Sequence, residues 1–140
     1  MMKTMFTVLC AVLVFAAAAF AEPNMQDGKW EMTIKMDMPG MPGGMPPMTF
    51  NQCLTKKDMV PQQKQKETDC KMISNKVEGN TVTWVMQCRH KDGSTTDSDG
   101  KITYKGAAFD GVINMAMKDG KRGGTKMTQK ISGKRIGDCK

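Results

Sequence analysis

Trp30, Met32, Ile34, Met36 and Met38 alternate with Glu31, Thr33, Lys35 and Asp37. A side-chain period of two is what a strand with one apolar and one wet face requires. It constrains this chain more than any other feature, because the same pattern keeps returning. A second strand follows at Met48–Leu54 after a loop of methionine, proline and glycine. Residues 70–77 and 81–89 flank Glu78-Gly79-Asn80, a hairpin signal, since Gly and Asn tolerate the backbone of a tight turn. The later of these two places Val82, Trp84, Met86 and Cys88 on one face. After the turn at Lys91-Asp92-Gly93-Ser94, a polar strand over 95–105 firms up at Ile102 and Tyr104. Gly106-Ala107 turns the chain again, and Phe109, Gly111, Ile113, Met115 and Met117 share a face. A glycine-rich basic turn over 118–124 leads to a last strand over 125–136, with Met127 and Ile131 facing inward.

The fold class that follows is all-β: an antiparallel meander of about seven strands with one apolar face. Such a sheet can curl into a barrel or half-barrel, or fold over as a sandwich. Consecutive hairpins favour the curled sheet or half-barrel. The polar stretch 55–67 lacks the alternation; Thr55 is an N-cap residue, Asp58 sits three residues on, and Pro61 would end or kink the short helical segment they open.

The first 21 residues read as a secretory leader, with Lys3 before an apolar run over 5–20 and Ala19-Phe20-Ala21 before the cleavage point. An uncleaved anchor is the alternative, but the run is short for a membrane span. Cys10 follows Leu9 rather than a small residue, which argues against lipidation. Residues 22–140 then form a single β domain with no transmembrane segment after cleavage.

Cys53, Cys70, Cys88 and Cys139 remain, an even number in an exported chain, and no pair has C-x-x-C spacing. Two structural disulfides are expected. Each strand of a meander reverses direction, so Cys88 and Cys139 fall at opposite ends of the sheet, as do Cys70 and Cys139. The pairing left is Cys70–Cys88 with Cys53–Cys139, which requires the stretch after Leu54 to cross from one end of the sheet to the other. Register sets a condition. If the hairpin turns about Gly79, Cys70 lies opposite Cys88; if the turn is the two-residue Gly79-Asn80, the two fall on opposite faces and the bridge fails.

Methionine is the compositional outlier, at 16 residues. Met36, Met38, Met41, Met45 and Met48 crowd one segment, and thioether sulfur is a soft ligand suited to Cu(I). The plainer reading makes Met36 and Met38 adaptable core filler and Met41 and Met45 the tip of a semi-rigid loop. His90, the only histidine, reads as an exposed turn residue, and Asp97 and Asp99 as solvated carboxylates. With no G-x-S-x-G, H-E-x-x-H or phosphate loop, an enzyme is not expected, nor a cofactor. The formal charge is +7, and aromatic residues do not interleave with the basic ones, which argues against nucleic acid. Lys118, Lys121, Arg122, Lys126, Lys130, Lys134 and Arg135 make the C-terminal hairpin basic, with the middle lysines of the last strand on one wet face. Attraction to an anionic envelope surface is one reading; an ordinary solvated face that guards against edge pairing is the other.

Gly28 to Pro42, Gln52-Cys53-Leu54-Thr55, Asp69-Cys70, the run N-T-V-T-W-V-M-Q-C from Asn80, G-K-I-T-Y from Gly100 and M-T-Q-K-I-S-G-K-R-I-G-D-C from Met127 resemble the bacterial exported family called domain of unknown function 3617. The resemblance covers nearly all of 22–140; it departs at Lys56, where the family pattern has proline after C-L-T. It implies a signal peptide and a periplasmic or secreted location in a Gram-negative bacterium, and brings no activity, ligand or catalytic residue. The functional expectation is therefore a non-catalytic binding or envelope-associated module, with Trp30, Met41, Met45 and Trp84 as candidate contacts for an apolar ligand. The alternatives are a periplasmic copper-binding protein using the Met36 to Met48 segment, and a structural or interaction protein with no small ligand.

Overall fold

The computed structural model describes residues 22–60, 68–120 and 123–140. The expected leader, Pro61 and the tip of the basic turn at Lys121 and Arg122 lie outside the described residues. The described residues form seven strands: β1 (Gly28–Asp37), β2 (Met48–Leu54), β3 (Thr68–Glu78), β4 (Thr81–His90), β5 (Thr95–Tyr104), β6 (Ala108–Asp119) and β7 (Gly123–Gly137). They form one sheet in the order β2-β1-β7-β6-β5-β4-β3, and every neighbouring pair is antiparallel. The all-β meander is thus realised as a single open sheet, not as a sandwich.

The order is a meander closed at one place and opened at another. β1 turns back onto β7, and the opening falls between β2 and β3. Antiparallel pairing across all seven strands makes these two edges run in the same direction, so no hairpin can join them. The chain leaves β2 at Leu54 at the lower end of the sheet and enters β3 at Thr68 at the upper end. Both disulfides obey this geometry: Cys53–Cys139 lies at the lower end, and Cys70–Cys88 joins the upper ends of β3 and β4.

The β3–β4 hairpin has the turn that should have put Cys70 and Cys88 on opposite faces. Glu78 pairs with Thr81 across Gly79-Asn80, and Gly79 takes the positive φ (58°) such a turn needs. A bulge at Ile73 then shifts the register by one residue, so that Met72 faces Met86 and Cys70 faces Cys88. Ile73, the extra residue, is exposed.

The core lies on one face, called here the inner face. Trp30, Met32, Ile34, Leu54, Val82, Trp84, Ile102, Tyr104, Phe109 and Ile131 are buried there with Met25. Close packing of such large groups depends on glycine across the strand. Trp84 pairs with Gly100 and Phe109 with Gly133, and a Cβ on either glycine would sit 2.1 Å from the Trp84 ring or 2.3 Å from the Phe109 ring. The Phe109 ring meets Trp30 at 5.4 Å and Tyr104 at 5.6 Å between centroids, linking β1 to β5.

Two segments cap the lower end. The strand entry runs past the β5–β6 turn: Gly106 N donates to the Asn24 carbonyl (2.7 Å), Asn24 N to Asn80 Oδ1 (2.9 Å) and Trp30 Nε1 to the Gln26 carbonyl (3.0 Å). After β2 comes one 3-10 turn, Lys56–Asp58, capped by Thr55 and Asp58 as their spacing predicts. Its Lys56 N–H donates to Asp27 Oδ1 (2.8 Å), a bond that proline at this position could not make. Beyond it, Met59 and Val60 pack on the core, and the Tyr104 hydroxyl donates to the Met59 carbonyl (2.6 Å).

Candidate ligand cleft

Above the capped core the inner face stays open. A cleft of about 730 Å³ runs over β2, β1, β7 and β6, lined by Met32, Ile34, Met36, Met48, Thr49, Phe50, Gln52, Ile113, Gln129 and Ile131. Register places all of these side chains except that of Thr49 on the inner face: Met32 pairs with Phe50 and Ile34 with Met48 on one side, while Ile34 pairs with Ile131 and Met36 with Gln129 on the other. Ile113 faces Gln129 from β6. The floor is firm, since Met32 and Ile34 are buried; the mouth is adaptable, since Met48 is 47% exposed. Flexible thioethers around a firm apolar floor, with two amides for orientation, are the makings of a small-molecule site.

Charge divides cleanly between the faces. Within the strands Glu31, Lys35, Asp37, Asp97, Asp99, Lys101, Lys118, Lys126, Lys130 and Lys134 all occupy outer positions by register, opposite in parity to the core residues of the same strands. Among the described strand residues the inner face holds Asp119 as the last residue of β6, Arg135 at the lower rim and His90 at the upper rim. Arg135 is engaged, its Nε donating to the Asp27 carbonyl (2.8 Å) and its guanidinium pairing with Asp138. Burial, with a smaller push from Asp58, raises the Tyr104 phenol to about 12, so it stays a neutral donor. On the outer face, hydrogen bonds from Gln87 and then Lys118 hold the Asp97 carboxyl below the usual carboxylate value.

The residues singled out from the sequence fall into different places. Trp30 and Trp84 are buried at 0% and 3% exposure and belong to the core rather than the cleft lining. Met41 and Met45 are exposed on the β1–β2 loop and do not line the cleft. Of the five methionines offered to copper, Met36 and Met48 line the cleft. Among the described residues no three His, Cys, Asp or Glu side chains converge as a metal site. His90 is half-buried rather than exposed, with Nε2 at 2.7 Å from Thr96 Oγ1 and Nδ1 at 3.3 Å from Thr68 Oγ1. Asp97 and Asp99 sit within β5, on hydrogen bonds to Gln87 and Asn114.

The middle lysines of β7 share one exposed face, as their spacing predicts, but among the described residues of the basic hairpin carboxylates pair with Lys118, Lys130, Lys134 and Arg135. Lys130 pairs with Asp37 (3.3 Å), Lys134 with Glu31 (3.3 Å) and Lys118 with Asp97 (3.0 Å). The sequence reading missed Phe50, Gln52, Ile113, Gln129 and Ile131 as a group. Their signal was their shared inner parity, which becomes a site only once β1 is known to pair with β7. Among the described residues no helix is long and apolar enough to cross a membrane.

No curated protein and no solved structure matches the chain. A family model described as Protein of unknown function (DUF3617) matches residues 25–139, nearly the whole of the described chain, and the protein belongs to that family.

Proposed function

We propose that the protein is an exported, non-catalytic binding module that holds an apolar ligand in the inner-face cleft. The observation that carries this reading is the cleft itself: about 730 Å³ of largely apolar space left open above a packed core. Export is supported by the leader pattern and by both disulfides, which persist in oxidising compartments such as the periplasm. Copper at the Met36 to Met48 segment finds less support, since only two of its five methionines line the cleft. Attraction to an anionic surface finds less as well, because the basic strand is largely paired with carboxylates.

The test is a titration with Nile red, a neutral apolar fluorophore. Saturable binding with a blue-shifted emission is expected, lost in Phe50→Asp and kept in Val112→Asp, an exposed outer-face control. Absence of saturable binding, or equal binding by Phe50→Asp, would remove the cleft reading and leave the structural or interaction protein. Native mass spectrometry of protein taken from its own periplasm would then show the natural occupant as bound lipid-like mass, copper or nothing.

A further inference from the structure

We infer that the ligand of this cleft is an uncharged amphiphile: an apolar chain bearing a hydrogen-bonding but non-ionic group, such as an amide, ester or hydroxyl. The inference rests on the cleft reading above and adds the chemical class of the occupant. Its basis is the division of charge between the two faces. The cleft is lined by seven apolar residues together with Thr49, Gln52 and Gln129, and among the described residues not one ionisable group lines it.

The counter-ions an ionic headgroup would need stand elsewhere. Lys35, Lys130 and Lys134 occupy outer positions, and the latter two are already matched to Asp37 and Glu31. Arg135 is held at the lower rim by the Asp27 carbonyl and Asp138. His90 is on the far strand, between two threonine hydroxyls. A carboxylate or ammonium drawn into the cleft would lose its hydration and meet no opposite charge among the described lining residues, which is heavily unfavourable.

A neutral polar group meets the opposite situation. Each glutamine amide offers both a carbonyl acceptor and an N–H donor, so the pair can serve an ester, a hydroxyl or an amide alike. By register, Gln52 stands opposite Trp30 and Gln129 opposite Met36, so the two amides lie at different heights along β1. Between them the wall is Met32, Ile34, Phe50 and Ile131, room for a chain and nothing ionic. The same logic explains why the face tolerates half-open methionines: their flexibility accommodates chains of differing shape.

The experiment uses three ligands that share one chain and differ only in headgroup: oleamide, oleate and oleylamine. Each displaces Nile red from the full protein at pH 7 and below its own aggregation concentration. Oleamide is expected to displace the dye at about tenfold lower concentration than either ion, the deficit of a group that must give up hydration without a partner. In Gln129→Glu the order should invert for the cation, oleylamine gaining and oleate losing. Oleate or oleylamine matching oleamide on the natural protein would overturn the inference. So would Nile red binding that no oleyl ligand displaces, although the cleft reading would then stand. Failure of Nile red to bind would remove both together. The comparison on the natural protein does not depend on the variant folding.

Discussion

The lower and upper halves of the inner face are built on the same strands with the same alternation, yet they are different materials. Below, Trp30, Tyr104, Phe109, Trp84 and Ile102 are buried, with glycines opposite the rings of Trp84 and Phe109. Above, the inner positions pass to Met36, Met48, Met86, Met115 and Met127, all at least partly exposed. Aromatic and β-branched groups have few rotamers and pack into one arrangement; methionine has three flexible bonds and fills whatever space is offered. The backbone pattern makes a strand in both cases. The choice of side chain decides whether that strand belongs to a closed core or to an adaptable wall.

The largest effects should come from the lower half. Losing Cys53–Cys139, which spans 86 residues, is expected to cost about 4–5 kcal/mol in the loop-entropy account. Losing Cys70–Cys88, which spans 18, should cost about 3 kcal/mol. Paired Cys→Ala variants compared by urea unfolding check this order, and a larger loss at the upper bridge would break the view that the lower end holds the fold. Trp30→Ala should cost about 3–5 kcal/mol as a buried aromatic deletion. Met48→Ala, at a side chain 47% exposed, should cost about 1 kcal/mol or less and act instead on ligand binding. Equal losses in the two variants would erase the distinction between the halves.

Tyr104→Phe sharpens the account of the cap. It removes the donor to the Met59 carbonyl and should cost about 1–2 kcal/mol by the same unfolding measurement. The phenol also gives a pH signature. Its value is raised by burial from 10.0 to about 12, so the folded state keeps a proton that the unfolded chain gives up. Its contribution is therefore whole below about pH 10 and is lost as the pH rises through about 12. The alkaline slope of stability should flatten in Tyr104→Phe; an unchanged slope would mean that the cap leaves the phenol wet.

Much of the fold was legible because alternation and turn chemistry are local. The strand at Trp30 to Asp37, the hairpin at Glu78-Gly79-Asn80 and the cap of Thr55 with Asp58 could each be read from a few neighbouring residues. The cysteine pairing was legible from strand direction, but its register was not. The sequence offered a turn about Gly79 or a failed bridge, and the chain instead uses the two-residue turn and recovers the register with a bulge at Ile73. A bulge has no composition of its own, so nothing in the residues announces it. The cleft was hidden for a related reason. Phe50, Ile113 and Gln129 come from β2, β6 and β7, and the β1–β7 pairing that brings them to one wall is a long-range closure. Trp30 and Trp84 drew attention as large apolar groups, which is also what makes them core.

The division of the inner face into a closed half and a binding half is most directly tested by the methyl signals of methionine. In protein labelled with ¹³C at the methionine methyls, titrated with oleamide, Met36 and Met48 at the cleft should shift progressively, while Met25, buried at 3% exposure beneath the lower cap, should hold its position. Shifts at Met25 equal to those at Met36 and Met48, or saturation with no methyl moving, would contradict the account.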